Sequence, residues 1–181
     1  MPVTRLARRG ERVGSMLRFA RLALLVTTRA LAACAEPGEP RCGPPRAVVE
    51  RVIDGDTIVL PGDLRIRYLL VDAPEITGGH AACYGASAAQ FNADLVLGKA
   101  IALSYDTRCE DRFGRTLAYV TVDGQDVNRL LIERGYACVL HIPPDGDARA
   151  GELEAVQSAA RAAGRGLWGA CAAVPCDASG L

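Results

Sequence analysis

The stretch that decides the fold is residues 47–71, which read AVVERVIDGDTIVLPGDLRIRYLLV. It contains three runs with the apolar, β-branched or aromatic residues typical of strands: Ala47–Ile53, Asp56–Leu60 and Leu64–Val71. Asp54-Gly55 is a hairpin signal, and Pro61-Gly62-Asp63 turns the chain again. The residue before a proline avoids the helical region, so Asp72-Ala73-Pro74 ends the third run. This part of the chain therefore predicts three consecutive antiparallel strands.

After this block the hydrophobic pattern alternates between helical and strand periods. It predicts helices at Gly85–Leu97, Val127–Arg134 and Gly151–Ala163, strands at Ala100–Tyr105 and Arg115–Val122, and a short extended piece at Tyr136–Leu140. Three antiparallel strands, a helix and two further strands are the order that a five-stranded OB barrel needs. We therefore predict an α+β chain, a five-stranded OB-fold β-barrel with three α-helices.

Composition excludes several classes of protein. The chain has 181 residues, 50% of them hydrophobic and 23% charged, so it is neither disordered nor collagen-like. It contains no run of about 18 apolar residues, which excludes a multi-span membrane protein. The net charge is zero, but residues 1–33 carry seven Arg and one Glu (+6), whereas residues 34–181 carry fourteen bases and twenty acids (−6). The acidic body argues against nonspecific coating of nucleic acid.

Residues 1–33 have the pattern of an export signal. Six arginines form a positive stretch: Arg5, Arg8, Arg9, Arg12, Arg18 and Arg21. A short apolar segment follows, and Leu31-Ala32-Ala33-Cys34 matches the site at which bacterial lipoproteins are cleaved and lipidated on cysteine. Arg29 interrupts the apolar segment, Met16 is an alternative start, and a disordered basic extension is the alternative interpretation. We predict a lipoprotein-type signal peptide, with lipid on Cys34 as the one membrane anchor, and a protein exported to the cell surface, secreted or periplasmic.

The cysteines support the same compartment. Seven in a chain of this length point to an oxidising environment, and lipidation of Cys34 would leave six, an even number suited to three disulfides. The sequence has no Cys-x-x-Cys spacing, and neither His80 nor His141 accompanies a plausible ligand set, so we predict no zinc site. After residue 33 we predict a flexible tether at 34–45, a folded OB-fold domain at 46–170 and a Cys-containing tail at 171–181.

Four carboxylates cluster at predicted strand ends: Asp54, Asp56, Asp72 and Glu75. If the second and third strands pair, these side chains converge at one end of the barrel. Carboxylates held together repel each other unless a cation lies among them, and oxygen ligands select a hard cation, Ca²⁺ or Mg²⁺. Each acid alone is typical of a turn or a strand cap, whereas the four together indicate a cation site.

Two arginines accompany these acids. Arg67 lies within an apolar strand, where an arginine usually extends its charge to the rim, and Arg115 begins the predicted fifth strand. Two guanidinium forks beside a cation suit a phosphate, because each binds phosphate oxygens through two hydrogen bonds. Taken alone, Arg115 is typical of an exposed charge after a turn.

Three blocks resemble, in order, the signature blocks of the staphylococcal-nuclease-like (thermonuclease) family: Ile53–Thr57, Arg67–Glu75 and Asp111–Tyr119. The likeness covers about residues 46–169 and continues through Val127-Asn128, Gly135-Tyr136 and Gly166-Leu167-Trp168. The resemblance implies a Ca²⁺-dependent phosphodiesterase with DNA and RNA as substrates, and we expect a monomer. The alternative is a noncatalytic nucleic-acid-binding OB module on the cell surface. A purely structural lipoprotein would not explain why every expected position is filled.

The resemblance assigns metal and water chemistry by position. Asp56 and Asp72 are implied as the carboxylate ligands of Ca²⁺. The backbone carbonyl of Ala73 is implied as a further ligand. Glu75 matches the residue proposed to activate the attacking water.

The resemblance also implies a site for phosphate and nucleotide. Arg67 and Arg115 match the two arginines that grip the reacting phosphate and stabilise its transition state. Arg112 and Phe113 occupy the positions of a Lys and a Tyr that hold the terminal phosphate. His141 replaces a Tyr that flanks the nucleotide, so we expect altered or weaker base stacking and weak substrate capture.

The disulfide pairing follows partly from the resemblance. Relatives with a Cys-Tyr-Gly block and a Gly-Leu-Trp-Gly-Ala-Cys ending suggest a Cys83–Cys171 disulfide. Beyond that pair we predict Cys109–Cys138, which leaves Cys42–Cys176. Reduced, buried thiols are the alternative.

Overall fold

The computed structural model describes residues 42–76 and 82–175, all within the unit that spans residues 36–181. These residues form seven strands: β1 (Arg46–Val48), β2 (Arg51–Val52), β3 (Thr57–Leu60), β4 (Leu64–Tyr68), β5 (Ala100–Ser104), β6 (Thr116–Val122) and β7 (Gln125–Asp126). They also form four helices: α1 (Gly85–Val96), α2 (Val127–Glu133), α3 (Ala150–Ala162) and α4 (Leu167–Ala170). No helix in these two ranges is long and apolar enough to cross a membrane. The predicted signal peptide, Cys34, His80 and Cys176 lie outside the described residues.

The strands form one mixed sheet in the order β1-β5-β6-β4-β3-β2, and β7 pairs with β6. β4 and β6 are parallel, and the other neighbours are antiparallel. The predicted hairpin is confirmed, because β2 and β3 pair across the Asp54-Gly55 turn. β3 also pairs with β4 and places Thr57 opposite Arg67, as the convergence of the carboxylates required.

The prediction of a five-stranded barrel is wrong in its strand count. The expected first strand, Ala47–Ile53, divides into β1 and β2, because the chain exchanges one partner for another. Ala47 pairs with Ile101 of β5, whereas Val52 pairs with Ile58 of β3. β1 and β2 thus lie at opposite ends of the strand order, and no ladder within the described residues closes the sheet. The α+β class is confirmed, and α1, α2 and α3 are the three expected helices.

Two buried asparagines attach the helices to the strand ends. Asn92 of α1 accepts a hydrogen bond from the Tyr68 hydroxyl (2.9 Å) and donates one to the Asp54 carbonyl (3.0 Å). Asn128 of α2 accepts from a β6 amide (2.9 Å) and donates to the Leu69 carbonyl (2.8 Å). Leaving such a buried amide without partners costs about 1–3 kcal/mol. The helices therefore fix the turn before β3 and the chain after β4, which carry the predicted site.

The disulfides agree with the prediction in one pair. Cys83–Cys171 is confirmed, with an S–S distance of 2.02 Å. The structure also forms Cys42–Cys109, so the predicted pairs Cys109–Cys138 and Cys42–Cys176 are wrong. Cys138 is itself disulfide-bonded.

The path of the chain before β1 explains the second disulfide. The Leu103 amide of β5 donates to the Pro45 carbonyl (2.9 Å), and the Tyr105 hydroxyl donates to the Pro44 carbonyl (2.6 Å). These bonds lay the segment before β1 along β5 and its continuation. Cys42 therefore reaches Cys109, which follows β5 closely in the chain.

Candidate active site

Asp56 is buried at the start of β3 and connects two separate segments. Its Oδ1 accepts a hydrogen bond from the Thr57 hydroxyl (2.9 Å) and lies 3.1 Å from Nε of Arg67. Its Oδ2 accepts a hydrogen bond from the Ala73 amide (2.7 Å). The carboxylate therefore ties the turn before β3 to the segment after β4, where Ala73 was predicted as a ligand.

Arg67 is buried, with a relative exposure of 9%, and does not extend to the rim as an isolated strand arginine would. Its Nε faces Asp56, and its Nη2 donates to Oδ1 of Asp72 at 3.2 Å. Its Nη1 donates to the carbonyls of Tyr68 (3.0 Å) and Val71. Arg67 thus holds two carboxylates and two backbone carbonyls.

Asp72 and Glu75 follow β4 on a segment fixed by backbone hydrogen bonds. The amide and carbonyl of Asp72 exchange hydrogen bonds with the carbonyl and amide of Cys138, both at 2.8 Å. The Glu75 carbonyl accepts a hydrogen bond from the Ala82 amide (2.8 Å), and its side chain is exposed. The backbone is therefore rigid where the two predicted carboxylates lie, while the Glu75 side chain meets solvent.

Four of the predicted site residues carry charges that act on the carboxylate of Asp72. Burial raises the pKa of the Asp72 carboxyl, and the positive charge of Arg67 opposes this rise. The charges of Asp56 and Glu75 raise the pKa further, and Arg115 lowers it. All four side chains act on one carboxylate, so the three sequence blocks converge at a single site.

Arg115 is held differently, by the loop that precedes β6. Its Nε lies 2.7 Å from Oδ2 of Asp111, and the side chain is partly exposed. Oδ1 of Asp111 accepts hydrogen bonds from the amides of Phe113 (2.8 Å) and Arg115 (3.0 Å). Partial burial would raise the pKa of Asp111, but the hydrogen bonds and charge of Arg115 hold it below the usual range. Asp111 therefore remains ionised and orients the arginine.

Asp54 belongs to the site more closely than the sequence predicted. Its Oδ1 accepts a hydrogen bond from the Asp56 amide (3.0 Å), and the residue is buried. Burial first, and then the charge of Asp56, raise the pKa of Asp54 to about 7. The Asp-Gly-Asp spacing was the available signal, because a two-residue step across a tight turn places both carboxyl groups on one side.

The donor set fits a hard cation in its chemistry. The predicted ligands Asp56, Asp72 and the Ala73 carbonyl offer oxygen atoms alone, as Ca²⁺ prefers. The repulsion between Asp54 and Asp56 is of the kind that a bound cation offsets. Within residues 42–76 and 82–175, however, no three His, Cys, Asp or Glu side chains form a metal-binding group. Carbonyl and water oxygens would therefore have to complete the coordination.

A cavity of about 300 Å³ opens beside the two arginines. Arg67, Arg112, Phe113 and Arg115 all line it. Apolar side chains form much of the remaining wall: Leu69, Leu70, Leu117, Leu140 and Ile142. Phe113 is 67% exposed, and its ring centroid lies 4.8 Å from the Arg112 guanidinium and 5.4 Å from that of Arg115. A planar, partly apolar group beside a phosphate matches this arrangement.

Two residues at the cavity differ from the sequence expectation. His141 does not line it, although both neighbours do, and its Nε2 contacts Oδ1 of Asp147 at 2.8 Å. Arg108, which the sequence analysis missed, does line it. Its Nε lies 2.5 Å from Oδ2 of Asp145, and its Nη2 donates to the Ile142 carbonyl (2.7 Å). No local signal predicted Arg108, because its partners lie more than 30 residues away in the chain.

Comparison with known proteins identifies the family. Residues 65–170 match the family model described as staphylococcal nuclease homologue. This match covers more than half of the 181 residues, and the chain belongs to the staphylococcal nuclease family. The resemblance drawn from the three sequence blocks is confirmed.

Individual relatives agree with this assignment. The thermonuclease of Staphylococcus intermedius is 36% identical over 107 residues, which are 56% of this chain and 64% of that protein. Endonuclease YncB of Bacillus subtilis is 38% identical over 100 residues, which are 52% of this chain and 47% of that protein. The thermonuclease of Staphylococcus hyicus is 32% identical over 125 residues, which are 66% of this chain and 73% of that protein. The chain thus spans about half to two thirds of the length of the first two relatives.

Proposed function

We propose that the protein is a Ca²⁺-dependent nuclease that hydrolyses phosphodiester bonds of DNA and RNA. One observation carries the proposal: Arg67 contacts the carboxylates of Asp56 (3.1 Å) and Asp72 (3.2 Å) and lines the same cavity as Arg115. A fold alone does not need two arginines and several acids at one strand end. The names of the relatives, thermonuclease and endonuclease, support the same reaction class.

The two arginines supply charge compensation for the reacting phosphate. Arg67 and Arg115 line the same cavity, and Asp111 engages the Nε of Arg115. Donors that are fixed in place where charge develops stabilise a transition state, and one such donor contributes about 3–4 kcal/mol. The buried Arg67 needs no reorganisation to act, because its contacts with the strand ends already orient it.

Three residues would hold the metal: Asp56, Asp72 and, through its carbonyl, Ala73. When bound, Ca²⁺ would neutralise a phosphate oxygen and help to orient water. The exposed carboxylate of Glu75 would accept the proton of the attacking water, since a general base must lie within hydrogen-bond reach of the proton that it takes. Nothing in this scheme requires a side chain from another copy of the chain, which supports a monomer.

The rim of the cavity would hold the nucleotide. Arg112 and Phe113 are placed to contact a terminal phosphate and a sugar or base. Phe113 has no hydroxyl to bond phosphate, and His141 is engaged by Asp147, so capture would depend on charge more than on stacking. Because binding would depend on contacts between arginines and phosphates, it should weaken steeply with salt.

Export and lipid anchoring at Cys34 remain part of the proposal. Disulfides Cys42–Cys109 and Cys83–Cys171 support an oxidising compartment, because cytosolic reductants keep most thiols reduced. Mass spectrometry of the membrane fraction would show a lipid-modified N-terminal Cys34. A soluble product that retains residues 1–33 would contradict it.

The test of the proposed function is cleavage of single-stranded DNA by the purified, oxidised protein at low salt. We expect cleavage with Ca²⁺, none with EGTA, and a loss of about 100-fold or more in Glu75→Gln. Glu50→Gln, which changes an exposed glutamate outside the site, is the matched control and should retain full activity. Binding of DNA without cleavage under every condition would instead support the noncatalytic binding module.

A further inference from the structure

A second hollow lies between α1, α2 and the segment before α4. Its volume is about 610 Å³, and it shares no lining residue with the cavity of the active site. Three aromatic residues line it, Tyr84, Phe91 and Tyr136, together with the arginines Arg134 and Arg165. We call this hollow the aromatic groove.

The rings of the aromatic groove are held in a fixed stack. Phe91 and Tyr136 lie parallel to within 11°, with centroids 4.0 Å apart. Tyr84 meets Tyr136 at 5.4 Å with a tilt of 30°. All three residues are half-buried, so each ring keeps part of its surface open. Rings that are already ordered stack on a planar ligand with little further loss of conformational entropy.

The charge of the aromatic groove is opposite to that of the body. Its lining contains two arginines and no Asp or Glu, whereas residues 34–181 carry a net charge of −6. Arg134 and Arg165 are exposed, and neither forms an ion pair in the part of the chain that the structure describes. Nη1 of Arg165 donates to the Glu133 carbonyl at 3.2 Å, which orients the side chain beside Arg134. Two positive charges are therefore placed where a polyanion could contact them.

The aromatic groove begins next to the active site. Tyr84 directly precedes α1, and two residues earlier the Ala82 amide bonds the Glu75 carbonyl at 2.8 Å. A Cβ at Gly85 would lie 2.8 Å from the same carbonyl, so only glycine allows α1 to start this close to Glu75. The Cys83–Cys171 disulfide fixes this junction on its other side. One short segment therefore connects Glu75 to the first ring of the groove.

We propose that the aromatic groove binds the single-stranded part of the nucleic acid that flanks the cleaved phosphate. A base would stack on the open part of the Tyr84 ring, which the rings of Tyr136 and Phe91 support from behind, and backbone phosphates would pair with Arg134 and Arg165. Aromatic platforms beside a basic track are how proteins bind single strands without reading their sequence. This inference rests on the proposed function, since the ligand is the substrate strand itself. It also explains how an acidic nuclease captures a polyanion.

The test compares two double variants of equal charge. Arg134→Gln/Arg165→Gln removes the positive charges of the groove, and Arg46→Gln/Arg51→Gln removes two exposed arginines elsewhere. Fluorescence anisotropy in EGTA measures Kd for a single strand of about 20 nucleotides and for a trinucleotide over a series of salt concentrations. For the groove variant we expect a Kd about tenfold higher for the long strand. The slope of log Kd against log salt should fall by about 1.4, or about 0.7 for each phosphate that the arginines no longer neutralise. The trinucleotide should bind as it does to the unchanged protein.

A second variant tests the stacking. Tyr84→Leu keeps an apolar side chain and removes the ring, and should raise Kd for the long strand about tenfold with little change in salt slope. With Ca²⁺, both groove variants should raise KM for the long strand and leave kcat unchanged. Equal Kd and equal slope in the groove and control variants would overturn the inference. If no protein cleaves either substrate but the groove variants still bind the long strand less tightly, the proposed function fails and the groove stands.

Discussion

The two arginines of the candidate active site are held in opposite ways. Arg67 is 11% exposed in its side chain, lies within the sheet and bonds two carboxylates and two carbonyls. Arg115 is 26% exposed, lies at the end of a loop and is oriented by Asp111. Arg67 therefore joins several segments that form the site, whereas Arg115 contacts a residue of its own loop. Removing Arg67 should affect folding and activity, and removing Arg115 should affect activity alone.

Arg67→Ala should cause the largest effect on both properties. It leaves the buried Asp56 and the partly exposed Asp72 without the arginine that they share, and breaking a buried ion pair such as Arg67–Asp56 costs about 3–5 kcal/mol. Urea unfolding should show this loss of stability, and cleavage of single-stranded DNA should fall by a factor of about 1,000 or more. A stable Arg67→Ala protein would contradict the structural role given to Arg67.

Loss of the Cys42–Cys109 disulfide should loosen the Arg115 side of the site. Cys109 precedes Asp111 by two residues, so this bond anchors the loop that carries Arg115. Cys42→Ser/Cys109→Ser should lower the free energy of unfolding by about 2–4 kcal/mol. It should also raise KM, because the loop lines the cavity. Unfolding curves and steady-state kinetics check both effects. An unchanged KM would show that the disulfide does not affect substrate binding at the site.

Asp111→Asn should reduce activity, and at neutral pH it should also cost the stability that the ionised carboxylate contributes. The amide keeps one acceptor for the backbone of the loop but loses the charge that orients Arg115. We expect cleavage to fall about tenfold, since an interaction with a charged group contributes about 1.5–3 kcal/mol. Steady-state kinetics would show it, with Asp123→Asn, on an exposed turn, as the control. Kinetics equal to those of the unchanged protein would show that Arg115 does not need Asp111 for its orientation.

The lowered pKa of Asp111 predicts a contribution to acid stability. Its folded pKa lies below the ordinary value of 3.8, so ionised Asp111 stabilises the fold fully above that value. The contribution is lost as the pH falls from 3.8 through the lowered pKa of the folded state. Asp111→Asn should therefore make stability less dependent on pH in this acid range, as measured by urea unfolding. An identical acid profile in both proteins would contradict the assigned shift.

Phe113→Tyr should cause the smallest effect. The ring already lies close to the guanidinium groups of Arg112 and Arg115, and a hydroxyl would add one donor for a phosphate. A neutral hydrogen bond contributes about 0.5–1.5 kcal/mol, so KM should fall about two- to tenfold at unchanged kcat. A higher KM would show that the phenyl ring itself is the preferred surface for the ligand.

Local patterns predicted most of the part of the fold that carries the candidate site. The Asp54-Gly55 turn joins two strands that pair directly, so their register follows from neighbouring residues. The same holds for β3 and β4, which bring Asp56 within reach of Arg67. Asp72 and Glu75 follow β4 without an intervening element, so their placement required no long-range information.

Long-range contacts were not predictable in the same way. The sequence gives no sign that β1 pairs with β5 and that β2, after Val49 and Glu50, pairs with β3. The pairing of β1 with β5 is what places Cys42 near Cys109. The Arg108–Asp145 pair likewise joins segments 37 residues apart. Periodicity describes which face of an element is apolar, but it does not identify the partner of that face.

The most direct test of the account compares activity and stability in Arg115→Ala. We predict that kcat/KM for single-stranded DNA with Ca²⁺ falls by a factor of about 100 to 1,000, because one fixed donor to the transition state is removed. We also predict that the urea midpoint stays within error of the unchanged protein, since Arg115 pairs with a residue of its own loop. Cleavage at the rate of the unchanged protein in a folded Arg115→Ala variant would contradict the proposed site.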